Sequence, residues 1–266
     1  MRRNGVWLAL LGVTLVMSWA VAAPVSAATT EEVLAKLTKQ RGEVKTFEFD
    51  MKTIMKGEQA GTSTGHMAMQ VVMKDGKPAG ALMNVKQQMT MGEMTHDTLM
   101  VNDGEFLWME TKAPSSGRVM VMKYKPDTGA NKNDPQEFTD QYDLKLVGEE
   151  DFDGQKCWVL EGTPKAKSAA PAARGMGRGS MGMGMQAEEP GKIRMSVGQK
   201  DLFVRRYIFY SKSGKEISET QMTNVRLNGK LDPALFKYTP PKGAMVMDMT
   251  KGMPSLEDLK KLVPQE

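Results

Sequence analysis

The sequence has few of the residues on which catalytic sites are built. Its 266 residues include one cysteine and two histidines, and neither Gly-x-Ser-x-Gly nor His-Glu-x-x-His occurs. Catalysis would need a nucleophile with a base, paired carboxylates in a cleft, or a closed set of metal ligands. Asp151 and Asp153 flank a turn, where carboxylates usually act as turn formers. We therefore predict that the chain is not an enzyme and has no cofactor.

The sequence also lacks a large excess of charge of either sign. The chain has 36 Lys and Arg against 32 Asp and Glu, a formal net charge of +4. A nucleic-acid partner would require a dense basic stripe, so we expect none. Cys157 has no second cysteine with which to form an internal disulfide. We expect it to be a small buried side chain in a monomer whose stability comes from packing.

Long apolar runs are absent after the N-terminus. Arg2 and Arg3 precede an apolar run from residue 5 to residue 21, and small residues up to Ala27 and Ala28 follow it. A basic start, a short apolar segment and small cleavage residues are typical of a secretory signal peptide. The run is at the low edge for a membrane span. We predict a signal peptide over residues 1–27, cleavage after Ala27 or Ala28, and a soluble exported domain over residues 28–266.

What the sequence does have is alternation. After an amphipathic helix predicted over about residues 30–41, the apolar period changes from 3.6 to 2. Phe47 and Phe49 begin the first alternating run, and further runs continue to about residue 226, joined by turn signals such as Asp103-Gly104. This pattern predicts about ten or eleven antiparallel strands in one strongly curved sheet, an open half-barrel. The tail Ser255–Leu262 has a helical start, so short terminal helices are expected to cover a mouth or an edge.

One segment does not fit the sheet pattern. Residues 166–190 are rich in Ala, Gly, Pro, Ser and Met and have almost no branched apolar side chains. Such a composition cannot bury enough surface to offset its ordering entropy. We predict a flexible insertion within one domain.

The end of the alternating region carries a family resemblance. Phe236-Lys-Tyr238-Thr-Pro240-Pro241-Lys-Gly243 closes the meander, and Asp103-Gly104-Glu-Phe-Leu-Trp108 forms a hairpin earlier in it. In this order, after a leading helix, these motifs resemble the periplasmic outer-membrane lipoprotein carriers of the LolA/LolB-like family. The resemblance covers about residues 32–248. The insertion and the methionine content depart from the family pattern, and no family arginine can be placed on this chain.

The resemblance implies an apolar concave surface that binds lipoprotein acyl chains or lipids in the periplasm. It also implies an inner-membrane donor and an outer-membrane acceptor as partners. A lipid-sensing regulator is an alternative on the same fold. Strand faces after residue 202 stay ambiguous, because Phe203 and Tyr207 share a side with Arg205, whereas Val204 shares one with Arg206. The residues that we expect to line the acyl-binding surface are Phe47, Phe49, Met69, Val71, Met89, Met91, Leu107, Met109, Phe203 and Tyr207.

Methionine is abundant, with 25 residues, and much of it occurs as Met-x-Met. A spacing of two puts side chains on one strand face, where flexible thioethers suit variable apolar ligands. Thioethers also bind copper(I), so a methionine-rich copper(I) protein is the other alternative, with His66 and His96 as additional ligands. Strand faces cannot explain the glycine-rich cluster Met181, Met183 and Met185, which is the candidate metal-binding segment.

Overall fold

The computed structural model of the chain describes residues 28–57, 60–113, 117–126, 141–165 and 190–252. The predicted signal peptide, the cluster Met181–Met185 and the tail Ser255–Leu262 lie outside these residues, as does nearly all of the predicted insertion. Among the described residues, no helix is both long and apolar enough to cross a membrane. The elements are α1 (Thr30–Arg41), β1 (Thr46–Met55), β2 (Gly61–Lys74), β3 (Lys77–Met91), β4 (Met94–Asn102), β5 (Leu107–Lys112), β6 (Val119–Tyr124), β7 (Tyr142–Phe152), β8 (Gln155–Pro164), β9 (Pro190–Gly198), β10 (Val204–Ser211), β11 (Glu216–Leu227), a 3-10 helix (Pro233–Phe236) and β12 (Met245–Asp248).

The strands form one open, curved sheet in the order β12-β6-β5-β4-β3-β2-β1-β11-β10-β9-β8-β7. All neighbours are antiparallel except β12, which runs parallel to β6. The predicted mainly-β fold, a curved antiparallel sheet with an N-terminal helix, is confirmed. The described sheet has twelve strands, where the patterning predicted ten or eleven, because the short run Met245–Asp248 also pairs.

Helix α1 begins at a capping box and packs on one face of the sheet. Thr29 accepts a hydrogen bond from the backbone N–H of Glu32, whose carboxylate accepts one from the Thr29 N–H. These bonds satisfy amide donors that the first turn would otherwise leave open. Val33 is fully buried against Trp158 and Leu160 of β8. The predicted helix is confirmed, and its apolar side covers β7 to β10.

The segment after β11 packs on the opposite face of the sheet. Phe236, at the end of the 3-10 helix, is only 4% exposed and packs with Leu231 against the fully buried Ala68 of β2. Asn84 of β3 donates a hydrogen bond of 2.7 Å to the Leu235 carbonyl. Tyr238 then donates one of 2.6 Å to a Glu110 carboxylate oxygen. This 3-10 helix is therefore fixed to the outside of β2 to β5, away from α1.

Glycines mark where the sheet bends. A Cβ at Gly65 of β2 would lie 2.5 Å from the Lys86 carbonyl oxygen and 3.2 Å from Gln87 Cα in β3. At Gly162 of β8, a Cβ would lie 2.7 Å from a Leu144 methyl group. Strand glycines of this kind permit tight bends and close backbone approach. Both positions are on the α1 side of the sheet, and from them we infer that the sheet curves toward α1.

Candidate functional site

The two faces of the sheet differ in composition, and the strand register defines them. In an antiparallel pair, directly opposed residues share a face, and alternate residues along a strand return to it. We call the side on which α1 packs the inner face and the other side the outer face. Phe49 of β1 is opposed to Met67 of β2, and Met67 to Val85 of β3, all on the inner face.

Methionine is concentrated on the inner face. Every methionine in the described strands lies there, including Met73, because the register shift next to it skips a residue of β3 and leaves the alternation of β2 intact. Most of them belong to β1 to β6 and β12, and we call the inner face of these seven strands the methionine half. Its methionines are Met51, Met55, Met67, Met69, Met73, Met83, Met89, Met91, Met94, Met100, Met109, Met120, Met122, Met245 and Met247.

The methionine half has almost no charge. Inner-face positions of these strands contain no Asp, Glu, Lys or Arg, and Lys77 at the hairpin tip of β3 is opposed to Lys74 on the outer face. Charges lie on the outer face instead, where Glu48 pairs with Arg226 at 2.9 Å. Burying an unpaired charge is costly, whereas an uncharged apolar face can accept another apolar surface. This face therefore suits an apolar ligand.

The two halves of the inner face differ in how far they are covered. Over β7 to β10, α1 shields a packed cluster in which Leu160, Ile193 and Val197 are fully buried. In the methionine half, Met100 of β4 and Met122 of β6 lie on strands that are paired on both sides, and yet they remain only half-buried. A side chain that stays open to solvent at such a position still has apolar area to lose to a ligand.

Aromatic rings stand at the boundary between the halves. Phe47 and Phe49 of β1 stack with their ring centroids 6.0 Å apart. Phe203, which precedes β10, packs against both rings at 6.1 and 5.5 Å. Its loop is tied to α1, because the Gln40 side chain donates a hydrogen bond to the Asp201 carbonyl. The aromatic cluster therefore separates the covered half from the open half.

The residues predicted to line the binding surface can now be placed. Nine of them are inner-face strand positions, and Phe203 joins the same face through its contacts with Phe47 and Phe49. Their contact with a lipid stays a prediction. Tyr207 belongs to the covered half, where it packs beside Phe209 at 5.6 Å.

A register shift resolves the ambiguity of the later strands. Tyr207 is opposed to Met195 on the inner face, whereas Arg206 is opposed to Ser196 on the outer face. The irregularity between Val204 and Arg206 breaks strict alternation, so Val204 packs with the inner-face cluster despite its even number. Simple alternation therefore grouped Val204 with Arg206 wrongly, because it assumes that no β-bulge intervenes.

Several polar residues of the inner face form hydrogen bonds with one another. Gln87, which interrupts the apolar run of β3, donates a hydrogen bond of 2.7 Å to the buried Ser63 hydroxyl. The hydroxyls of Thr53 and Thr220 are 2.9 Å apart. Burial raises the pKa of the Tyr207 hydroxyl, so this group stays neutral. These groups add hydrogen bonding to the face without adding charge.

The two histidines named from the sequence as candidate metal ligands lie on opposite faces of the sheet. His66 lies on the outer face, where its Nδ1 is 2.8 Å from Asp50, and His96 lies on the inner face, opposed to Met89. The hydrogen bond that Asn224 donates to Asp50 is the largest cause that holds the pKa of this carboxyl below its usual value, and the hydrogen bond from His66 acts in the same direction. Within the described ranges, no group of three or more His, Cys, Asp and Glu residues could hold a metal. His66 is therefore on the wrong face to join the inner-face methionines.

Cys157 is fully buried, as expected of a small apolar side chain. Burial raises the pKa of its thiol, although the nearby Arg205 acts in the opposite direction. A buried thiol of this kind is protonated and poorly reactive.

Several residues of the face were missed from the sequence. Met100, Met122 and Met247 were not among the predicted lining residues, although they are opposed to or lie near Met109 across the sheet. Alternation with Met109 and Leu107 could have indicated Met122 within its own hairpin. The pairing of Met247 beside β6 depends on a long-range parallel contact for which the sequence has no local signal.

Comparisons with known proteins give similarities of structure only. No protein-family model matches the sequence, and neither does any curated protein. A chain of the Pseudomonas aeruginosa MucA/MucB complex shares 14% identity over 78% of this chain and 60% of its own length, with a TM-score of 0.43. This chain therefore spans less than two thirds of the length of that relative.

Two smaller proteins are covered almost completely. LprF from Mycobacterium bovis shares 13% identity over 77% of this chain and 97% of its own, with a TM-score of 0.45. A candidate outer membrane lipoprotein-sorting protein domain from Vibrio parahaemolyticus shares 14% identity over 77% and 94%, with a TM-score of 0.30. What this chain binds must be argued from its own residues, because one fold serves many functions. Solved structures similar to this chain thus include a lipoprotein-sorting domain, as the sequence resemblance led us to expect.

Proposed function

We propose that the chain is a periplasmic binding protein that holds lipids or lipoprotein acyl chains on the methionine half of its inner face. One observation carries the proposal: an uncharged face keeps half-buried apolar side chains at Met100 and Met122, although each lies on a strand that is paired on both sides. Apolar surface that stays in contact with water on a curved sheet is a standard feature of apolar ligand sites.

Affinity would come from the transfer of methylene groups out of water. Each buried methylene contributes about 0.8 kcal/mol. Two additional methylenes on an acyl chain would therefore tighten binding by roughly 15-fold, until the chain exceeds the face. No chemical step is required, and we expect no enzymatic activity.

Methionine suits this role better than branched side chains would. Its unbranched thioether adopts many shapes, so a methionine surface accepts apolar ligands of different outline. The covered half shows the contrast, because Ile193, Val197 and Leu160 fill a fixed interface with α1. We infer a site that accepts a range of acyl chains.

The cellular setting follows from the same proposal. Acyl chains in transit would pass from an inner-membrane donor to an outer-membrane acceptor through a monomeric carrier. A regulator that senses lipid would use the same face, and co-purification with a membrane signalling protein in place of transport components would distinguish it.

A pair of substitutions on one strand tests the proposal. Met100 and Leu99 are adjacent half-buried residues of β4 on opposite faces. Met100→Glu should abolish binding of a fluorescent fatty acid, because a carboxylate would be placed under the acyl chain. Leu99→Glu, the matched control on the outer face, should leave binding unchanged, and Met100→Leu should retain it.

Native mass spectrometry of the protein purified from its own periplasm supplies the second measurement. Lipid adducts on the wild type that disappear in Met100→Glu would support the proposal. Equal fatty-acid affinities for the two Glu variants, with circular dichroism showing both folded, would refute it. Lack of both adducts and fatty-acid binding in the wild type would refute it as well.

A further inference from the structure

Four methionines from four different strands form a continuous row on the inner face. Met100 of β4 is directly opposed to Met109 of β5, Met109 to Met122 of β6, and Met122 to Met247 of β12. We call these four residues the thioether row.

The spacing of the row brings neighbouring sulfurs within reach of one ion. Adjacent strands lie about 4.8 Å apart, and opposed Cβ atoms are separated by about 5 Å. An unbranched side chain with three rotatable bonds can turn its sulfur toward that of a neighbour. Across all four residues the row spans roughly 14 Å, so a single ion would contact the sulfurs of only two or three successive members.

The surroundings of the row favour a soft cation over a hard one. Thioethers are neutral, soft ligands that select copper(I), whereas hard cations require oxygen ligands. The inner-face positions of β4, β5, β6 and β12 contain no carboxylate. Met109 is 9% exposed, and the other three members are half-buried, so the row is open on one side.

One contact shows that a sulfur of the row interacts with a polar group. The Tyr124 hydroxyl donates a hydrogen bond of 3.2 Å to the Met122 sulfur. A second pair of opposed methionines, Met120 and Met245, lies two residues away on the same two strands. Additional thioether ligands are therefore available beside Met122 and Met247.

We propose that the thioether row is a copper(I) site, with Met109 and Met122 as its central ligands and Met100 or Met247 completing a set of three sulfurs. The ion binds as copper(I) and is released as copper(I), with no change of oxidation state. This site differs from the glycine-rich methionine cluster suggested by the sequence, and it does not depend on lipid binding.

Methionine-to-leucine substitution separates the apolar area of the face from its sulfur ligands. Leucine keeps the apolar area but removes the sulfur, and such swaps usually cost less than about 1.5 kcal/mol each. The test variant combines Met109→Leu, Met122→Leu and Met247→Leu. The matched control removes three inner-face methionines that have no methionine directly opposite: Met55, Met67 and Met195, each replaced by leucine.

Copper(I) is titrated anaerobically into each full-length protein against a colorimetric copper(I) chelator, in a Cys157→Ala background that excludes the thiol. We expect the test variant to lose one tightly bound equivalent and the control variant to retain it. Silver(I), added to protein labelled with carbon-13 at its methionine methyl groups, should shift the signals of Met109 and Met122 first.

The outcomes are distinguishable from those of the lipid experiment. Copper(I) binding of equal affinity and stoichiometry in the wild type and the test variant would overturn the site. The same holds if both triple variants lose the equivalent, or if the wild type binds no copper(I) more tightly than the micromolar range. The lipid proposal is tested with a fatty acid and Met100→Glu, and this site with copper(I) and leucine variants, so either proposal can fail while the other stands.

Discussion

The bend at Gly65 provides a direct test of how this sheet acquires its curvature. A Cβ at this position would lie 2.5 Å from the backbone carbonyl oxygen of Lys86 in the neighbouring strand. The obstructing atom belongs to the backbone, so no side-chain rotation can relieve the clash. Gly65→Ala would therefore force β2 and β3 apart on the concave side.

The size of the effect can be set against a control on β3. Forcing additional atoms into a packed region typically costs about 1–3 kcal/mol, so we expect Gly65→Ala to lower the free energy of unfolding by that amount. In a protein of this size the melting temperature should fall by roughly 2–4 °C per kcal/mol. A Cβ added at Gly80 would have no atom within 4 Å, and the φ angle of Gly80 is not positive. Gly80→Ala should therefore be neutral or stabilising by up to about 1 kcal/mol.

Urea unfolding followed by tryptophan fluorescence and circular dichroism measures both variants. If the bend shapes the binding surface, Gly65→Ala should also weaken fatty-acid binding while Gly80→Ala does not. Equal unfolding free energies for the two variants would show that β2 and β3 are not constrained at Gly65, and the inferred curvature would have to be abandoned.

Three further predictions concern the supports of the sheet. Phe236→Ala should lower the free energy of unfolding by about 3–5 kcal/mol in urea, because a buried ring leaves a cavity; a loss below about 1 kcal/mol would contradict the described packing. Thr29→Ala should lower the free energy of unfolding by about 1 kcal/mol through loss of the capping box. Thermal melting measures the effect, and coincident melting curves for the variant and the wild type would show that the cap does not stabilise the protein. Burial opposes ionisation of Asp103, but hydrogen bonds from the Phe106 N–H, the Trp108 indole and the Glu105 N–H outweigh it and lower the pKa. The stability that comes from this lowered pKa is fully present above the ordinary pKa of about 3.9 and is lost as the pH falls through the folded-state pKa. Asp103→Asn should therefore lower the free energy of unfolding at neutral pH, and the variant and the wild type should become equally stable in acid. A difference in unfolding free energy that does not depend on pH would contradict this.

The inner face could be predicted from local patterning because each strand repeats with a period of two. Phe47, Phe49, Met69 and Met109 were placed together correctly, since alternation decides the face of a residue wherever a strand is regular. Alternation failed at Val204, where a register shift follows the loop before β10. A bulge depends on the contacts of both strands, which a single strand pattern does not contain.

The pairing of segments that are far apart in the chain could not be predicted from the sequence. The pattern of Met245 and Met247 indicates an extended segment, but nothing local indicates that it runs parallel to β6 and completes the thioether row. Similarly, the apolar side of α1 is visible in Val33 and Leu37, whereas the half of the sheet that it covers is set by complementarity with Trp158 and its neighbours. The open half of the face could therefore be recognised only from the structure.

The pairing of β1 with β11 has a consequence for how the chain folds. Phe47 is opposed to Leu227 at the centre of the sheet, so the two halves join only when residues far apart in sequence meet. Contacts of such long range slow folding, because the intervening loop must close before they form. The strand β6 likewise gains its outer neighbour only from residues 245–248, near the end of the chain. The complete sheet is therefore expected to form only once residues 245–248 are available, whereas neighbouring strands such as β2 and β3 can pair earlier.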